Sequence, residues 1–299
     1  MKAIVLHTIG GPEVLHTAQI PVPDPGPGQI RVRVLAAAVN GIDGKIRAGI
    51  MPGADLPAVL GIEVAGTVDA LGAGVTDVVV GDTVAGWADA PAGGYAELAL
   101  ASTYARVPDG LDPVDAVTVP VAGETAQRVL SELAVQPGET LLVHGASGSV
   151  GEMATQLAVA AGVRVVGTAS AENQARVAAL GATPTTYGAG IVERVRALAP
   201  QGVDAVLDTT GRGVLPDSVA LRGGTTRIVT IADPAAFTLG VTFSSVSRRS
   251  AAALADLLGR RARGELTTTT GGVFRLEDAA RAAELNDAGR AGGKLVLVP

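Results

Sequence analysis

The chain has 299 residues, 47% hydrophobic and 17% charged, with a formal net charge of −6. Such a mixture suits a globular α/β protein of about two domains and not a disordered chain, and without an extended Lys/Arg run it argues against a nucleic-acid or anionic-membrane partner. It contains no cysteine, so disulfides, thiolate metal sites and cysteine nucleophiles are excluded. Aromatic residues make up only 2%, so the core must be built from Val, Leu, Ile and Ala. The N-terminal apolar run is cut short by Gly10-Gly11-Pro12 and no apolar stretch approaches the ~18 residues of a membrane span. A cytoplasmic protein is expected.

Taken in chain order, the first hundred residues read as β-structure. "KAIVLH" and "QIRVRVLAAAV" are predicted strands, the second alternating Arg with Val or Leu as a half-buried strand does. The proline-glycine cluster "PVPDPGPGQ" turns the chain between them, and "VLGIEVAGTVDALG" and "GDTVAGW" continue a series of short strands broken by glycine. From residue 112 the pattern changes. "PVDAVTVPVAGETAQRVLSELA" has helical character, "ETLLVHG" is a strand, and "SVGEMATQLAVAAG" is a helix ending at glycine. Strand "VRVVGTAS", helix "ENQARVAALG", and strands "VDAVLDTTG" and "TTRIVTIA" follow, before a final strand "GKLVLVP". Alternation of strand and helix means a parallel sheet covered on both faces. The expected organisation is therefore a β domain over 1–111, a nucleotide-binding domain inserted over 112–245, and the rest of the β domain over 246–299.

Residues 145–151, Gly-Ala-Ser-Gly-Ser-Val-Gly, lie between a predicted strand and a predicted helix. Glycines there let the backbone turn tightly and approach a pyrophosphate at the helix N-terminus. In a G-x-G-x-x-G register the first position is Ala146, followed by Ser147, so the fingerprint is imperfect and the strand–turn–helix context carries it. An acid that would bind a ribose 2′-OH belongs about 20 residues further on; this chain has Thr168-Ala169-Ser170. Without a carboxylate at that place a 2′-phosphate is tolerated, and the hydroxyls of Thr168 and Ser170 are candidate donors to it. Asn173 and Arg176 follow closely enough to help, although Arg176 also reads as a solvated helix residue. NADP(H) is the expected cofactor.

In this order and spacing, "GGPEVL", "AVNGIDGKIRAG", "LPAVLGIEVAGTV", "GDTVAG", "GGYAEL", "PVAGETA", "GETLLVHGASGSVG" and "GKLVLVP" make the chain resemble the medium-chain dehydrogenase/reductases, in their zinc-free quinone oxidoreductase (zeta-crystallin-like) branch. The resemblance implies a Rossmann-type doubly wound parallel sheet inserted in a rolled, partly open GroES-like catalytic domain, and a homodimer. It also implies residue roles. Asn40 would lie near the nicotinamide and the substrate carbonyl, with Thr125 on the nicotinamide side. Gly148, Ser149, Val150 and Gly151 would hold the pyrophosphate, Tyr187 would stand near the adenosine end, and Lys294 would close over the cofactor.

Departures from the family pattern matter as much. Zinc-dependent members carry cysteine at the place of Asn40 and histidine at that of Ile62; a catalytic zinc needs about three protein ligands, so no metal is expected and Glu63 reads as a hydrogen-bonded structural residue. Met51 replaces a tyrosine common in the family, and Lys45 replaces another aromatic. Lys45 reads as a proton donor, as a contact to substrate charge, or as an exposed lysine. Ile50, Met51, Trp87 and Phe243 are expected to shape the pocket from loops.

The expected activity is NADPH-dependent hydride transfer to a quinone, an enone or another activated carbonyl or alkene, with the Asn40 amide and the Thr125 hydroxyl meeting charge on the acceptor oxygen. Two alternatives stay open: an enoyl-thioester (acyl-CoA, acyl-carrier or polyketide) reductase, and a non-enzymatic NADPH-binding sensor or structural protein. A short-chain dehydrogenase is excluded, because Tyr95, Tyr104 and Tyr187 are followed four positions later by Ala99, Pro108 and Ile191 and not by lysine.

Overall fold

The computed structural model describes residues 1–52, 55–90 and 93–299. Its chain divides into two compact units, Met1–Val121 with Arg249–Pro299, and Ala122–Arg248; the sequence reading places the corresponding breaks near 112 and 246.

In the first unit, β1 (Lys2–Leu6), β2 (Leu15–Gln19) and β3 (Ile30–Val39) lead to α1 (Gly41–Arg47), then β4 (Ala58–Val59), β5 (Glu63–Leu71), β6 (Thr83–Trp87), β7 (Leu98–Ala101), β8 (Thr103–Arg106) and α2 (Pro113–Ala116). Helix α3 (Pro120–Leu133) carries the chain into the second unit, which holds β9 (Thr140–His144), α4 (Ser149–Ala160), β10 (Arg164–Ala169), α5 (Gln174–Ala179), β11 (Thr183–Thr186), α6 (Ile191–Leu198), β12 (Ala205–Asp208), α7 (Leu215–Arg222), β13 (Ile228–Thr230), α8 (Ala236–Leu239) and β14 (Thr242–Phe243). The first unit is completed by α9 (Ala251–Ala262), β15 (Thr270–Arg275), α10 (Ala279–Asp287) and β16 (Lys294–Val298).

The larger sheet of the first unit runs β15-β16-β3-β5-β6-β8, with β7 also paired to β3, and a small sheet runs β2-β1-β4. Strand β3 buries alternate residues over its first half and every residue at its end, and it pairs with β7 through Ile30–Arg33, with β16 through Ala37–Val39 and with β5 over Ile30–Ala37. Its register with β5 shifts at Arg31/Val32 and again at Val34/Ala36; each such irregularity adds local twist and bends the sheet, giving the roll. Aliphatic side chains of β1, β3 and β16 and the alanine face of α10 (Ala279, Ala282, Ala283) form its main core.

The second unit is a six-stranded sheet in the order β11-β10-β9-β12-β13-β14, all parallel. Strand β9 is buried at every position, as expected for the middle of a parallel sheet covered on both faces. Leu142, Val166, Val206 and Ile228, one from each central strand, meet Ile191 and Val195 of α6, whose i, i+4 spacing presents one apolar face. The order reverses at β9, so the turn after β9 lies where doubly wound sheets take their ligands. Together these are a GroES-like fold and a Rossmann-type fold.

A dinucleotide cradle and a buried polar cluster

The turn after β9 is shaped by its glycines. Gly145 has φ +80°, a left-handed conformation that favours glycine, and its N–H donates to the Thr168 hydroxyl at 3.2 Å. A Cβ on Gly151 would lie 2.1 Å from the Gly145 carbonyl oxygen, so the first turn of α4 packs against the loop only because that side chain is missing. Gly148 caps α4, and a Cβ there would find a neighbour only at 3.4 Å, with open space beyond. The amides of Ser149, Val150 and Gly151 have no carbonyl one turn back to bond and form the positive end of a 12-residue helix. An exposed floor beneath such amides fits a pyrophosphate. Ala146 faces the other way: its side chain is fully buried against Gly167 of β10, and its N–H donates to the Thr168 carbonyl at 2.9 Å, so neither is offered to a ligand.

The end of β10 is arranged differently from the sequence reading. Thr168 is buried and its hydroxyl accepts from Gly145, because strand alternation turns it inward; it supports the glycine turn instead of facing a phosphate. Ser170 accepts from the Asn173 amide at 2.8 Å and donates to the Glu172 carboxylate at 3.2 Å. That acid, two residues past Ser170, is exposed. Arg176 bonds the Ser147 carbonyl, tying α5 to the glycine turn. Tyr187 follows β11 and is 57% exposed. The structure thus gathers Ser147, Ser170, Asn173 and Arg176 at the carboxyl ends of β9 and β10. His144 is enclosed, with Thr168 Oγ1 at 3.5 Å and Ser218 Oγ at 3.2 Å on its two ring nitrogens, and burial pulls its pKa down to about 4.

In the first unit a second group of polar residues is sealed from solvent. The register Val39↔Leu295 between β3 and β16 brings Asn40 beside Lys294, and β3–β5 pairing brings Glu63 alongside. Lys294 Nζ lies 2.5 Å from Glu63 Oε1 and donates to Asn40 Oδ1 at 2.5 Å. Asn40 Nδ2 donates to Glu63 Oε1 at 2.9 Å and to the Ala38 carbonyl at 3.3 Å, and Glu63 Oε2 accepts from the Val121 N–H at 2.8 Å. Glu63, Lys294 and Asn40 are 0%, 4% and 8% exposed. Lys294 is therefore an internal counter-ion of Glu63. The donor set does not suit a metal ion: an ammonium already stands between the oxygens of Asn40 and Glu63, and Ile62 offers no ligand atom. Among the described residues no three or more His, Cys, Asp or Glu gather as a metal site.

Asp43 extends the cluster. Its Oδ2 accepts from the Asn40 N–H at 2.8 Å and from the Tyr95 hydroxyl at 2.9 Å, fixing the start of α1. Burial pushes the Asp43 carboxyl up to about 6, against those two hydrogen bonds; burial and then the neighbouring Asp43 push the Tyr95 hydroxyl well above its usual value, so Tyr95 is a donor. Lys45, on α1, is half-buried and has no ion-pair partner among the described residues. Thr125 belongs to the second unit, where it is buried with its hydroxyl 3.5 Å from Glu124; Glu124 is held by Arg128 at 2.9 Å and by the Arg248 N–H at 2.7 Å.

Tyr95 and Glu172 were not legible as site residues. Asp43 carries a signal, its place three residues after Asn40, the spacing of a capping box; Tyr95, 52 positions further on, carries none. Two residues expected on loops are in strands. Trp87 ends β6 and is 3% exposed, because five alternating small and apolar residues extend that strand to it. Phe243 lies in β14 and stacks on Phe237 at 5.2 Å.

Comparison with known proteins agrees with this architecture. Residues 26–109 match the alcohol dehydrogenase GroES-like domain and residues 149–254 the zinc-binding dehydrogenase domain. A quinone oxidoreductase from Pseudomonas aeruginosa is 34% identical over all of this chain and 99% of its own. The structure of a Coxiella burnetii quinone oxidoreductase superposes with a TM-score of 0.89 at 31% identity, covering 100% of this chain and 99% of that one. A mycobacterial structure complexed with NADPH gives 0.87 at 32% identity, with both chains covered in full. With both domain models matched in order around one cradle and one buried polar cluster, the chain belongs to the medium-chain dehydrogenase/reductase superfamily, in its quinone oxidoreductase branch, and is an oxidoreductase.

Proposed function

We propose that this oxidoreductase is zinc-independent, prefers NADPH, and passes hydride to a quinone or another activated carbonyl or alkene. The observation that carries the reading is the Lys294 ammonium fixed between Asn40 and Glu63. A site so filled has no metal to polarise a carbonyl, which favours acceptors that are electron-poor on their own. Quinones suit it further because a hydroquinone takes its protons from solvent, so the tyrosine replaced by Met51 is dispensable.

A reduced nicotinamide dinucleotide supplies the hydride when bound. The chain's own residues would do the rest. Gly148, Ser149, Val150 and Gly151 hold the pyrophosphate by backbone amides, Ser170, Asn173 and Arg176 meet a 2′-phosphate, and Tyr187 flanks the adenosine end. The NADPH-bound relative supports that preference, whereas the Glu172 carboxylate beside Ser170 opposes it unless it turns to solvent. Asn40 spends one amide hydrogen on Glu63 and holds the other in the longer bond to Ala38; the second is the one an acceptor oxygen would take. Loss of one such donor typically costs ~10²–10³-fold in turnover, and fixing donor and acceptor contributes ~7–11 kcal/mol. Thr125 and Lys45 remain candidate contacts. The proposal includes a cytoplasmic homodimer, supported by the apolar outer edge of the six-stranded sheet, where Phe237 and Val246 are each 76% exposed. No helix among the described residues is long and apolar enough to cross a membrane.

Stopped-flow reduction of 1,4-benzoquinone with C4-deuterated NADPH, before and after prolonged chelation, tests the reading. A deuterium effect that survives chelation, with Asn40→Ala slowed, is expected. Turnover that requires zinc, or preferential reduction of a 2-enoyl thioester, would overturn it.

A further inference from the structure

Arg249 precedes Ser250, the N-cap of α9, and is exposed. Its guanidinium carbon lies 5.8 Å from the ring centroid of Trp87, within cation–π range. Trp87 pairs in register with Glu63 across β5 and β6. Directly opposed residues of an antiparallel pair share a face, with Cβ atoms ~4.5–5.5 Å apart. The indole therefore lies beside the carboxylate that holds Lys294 and Asn40, and all these residues belong to the first unit.

Apart from Lys45 on α1, charge at this cluster is otherwise accounted for. Glu63 is met by Lys294 and Asp287 by Arg47, and Asp43 takes hydrogen bonds from Tyr95 and Asn40. Arg249 has no acidic partner among the described residues. A guanidinium laid over a buried ring keeps its planar fork of donors in a fixed plane, the geometry that binds a carboxylate bidentately. A cation held in this way beside the candidate centre, and left without an acid of the protein, is placed for an acid on the substrate.

We propose that Arg249 selects an acceptor bearing a carboxylate, with the electron-poor double bond directed to Asn40. This rests on the hydride-transfer reading above. For an enone acid the step is balanced by NADPH: hydride adds to the carbon β to the ketone, a solvent proton adds to the α carbon, the C=C bond is lost, and NADPH becomes NADP⁺.

The test uses the full chain with 4-oxo-2-pentenoate, its methyl ester, and 1,4-benzoquinone as an uncharged acceptor. In the wild type the acid is expected to have the lower KM. In Arg249→Gln the acid-to-ester ratio of kcat/KM should fall roughly tenfold, carried by KM, in line with loss of a hydrogen bond to a charged group; Arg249→Lys should recover part of it. An unchanged ratio in Arg249→Gln, or a ratio that collapses in Lys45→Met instead, overturns the assignment. Benzoquinone turnover that the acid does not inhibit competitively, with neither pentenoate reduced, also overturns it while leaving the hydride-transfer reading intact. Reduction of none of the three sinks that reading and this proposal with it.

Discussion

Lys294 and Glu63 form an ion pair at 2.5 Å with side chains 4% and 0% exposed, between the last strand of the chain and the first residue of β5. Removing one member of a buried pair leaves an uncompensated charge, at a cost of about 3–5 kcal/mol. Lys294→Met should therefore lower the urea midpoint strongly. In Glu63→Gln/Lys294→Met the new amide can still accept from Val121 and donate to Asn40, and most of the loss should be recovered. Additive losses in the double variant would show that the pair is not coupled.

Asp43 predicts a stability that depends on pH in an unusual direction for a carboxylate. Its folded pKa, about 6, lies above its ordinary 3.8 because burial disfavours the charged form. The stabilising contribution is thus full below the unfolded value and is lost as pH rises through about 6. The difference amounts to about 2 kcal/mol between pH 4 and pH 7. Asp43→Asn keeps acceptors for Tyr95 and Asn40 and cannot ionise, so its stability relative to wild type should climb by that amount over the same window. The buried His144 works the opposite way: its pKa is pulled down to about 4, so its contribution is present above the unfolded value and lost as pH falls. It is common to both proteins and cancels in the comparison. Parallel urea-derived stabilities from pH 4 to 7 would contradict the Asp43 assignment.

Cofactor choice turns on Glu172. Ala169 is 2% exposed, so a charge placed at that end of the strand would unsettle the sheet. Glu172→Gln removes an exposed carboxylate that accepts from Ser170 and leaves the fold alone. An exposed charge interaction of about 0.5–1 kcal/mol corresponds to a gain in NADPH affinity of roughly two- to fivefold, with NADH unchanged. Equal gains for both dinucleotides, measured by fluorescence titration, would place Glu172 away from the 2′-phosphate.

Local patterning in the sequence carries most of the fold: the Arg/Val alternation of β3, the unbroken apolar β9, and the strand–glycine–helix passage through Gly148 each follow from residues within ten positions of one another. The polar cluster is not local. Asn40 and Lys294 are 254 positions apart, and nothing near "GGK" distinguishes a lysine that covers a cofactor from one that neutralises Glu63. Only the β3–β16 register decides it. Thr168 shows a smaller failure: the strand was legible, but not which face each residue takes at its end. Glu172 lies beyond the strand end where a ribose-binding acid belongs, and the 3-10 turn there folds its carboxylate back onto Ser170.

The cradle makes opposite demands on its two later glycines, which separates folding from binding. A methyl group at Gly151 would sit 2.1 Å from the Gly145 carbonyl, so Gly151→Ala must displace the turn, and a destabilisation of about 1–3 kcal/mol is expected from overpacking of this kind. At Gly148 the backbone, φ −84° and ψ 163°, is open to alanine, and the nearest atom is 3.4 Å from the added carbon. Gly148→Ala should therefore unfold within about 1 kcal/mol of wild type, the loss being that of a poorer N-cap. With a pyrophosphate on the amides of Ser149, Val150 and Gly151, as proposed, a methyl group on the residue that caps them should crowd it, so dinucleotide affinity should fall by at least roughly tenfold, as for a ligand denied a charge-assisted hydrogen bond. Thermal unfolding and NADPH titration on the two variants give the comparison. Undiminished affinity in a stable Gly148→Ala protein would move the pyrophosphate away from the start of α4.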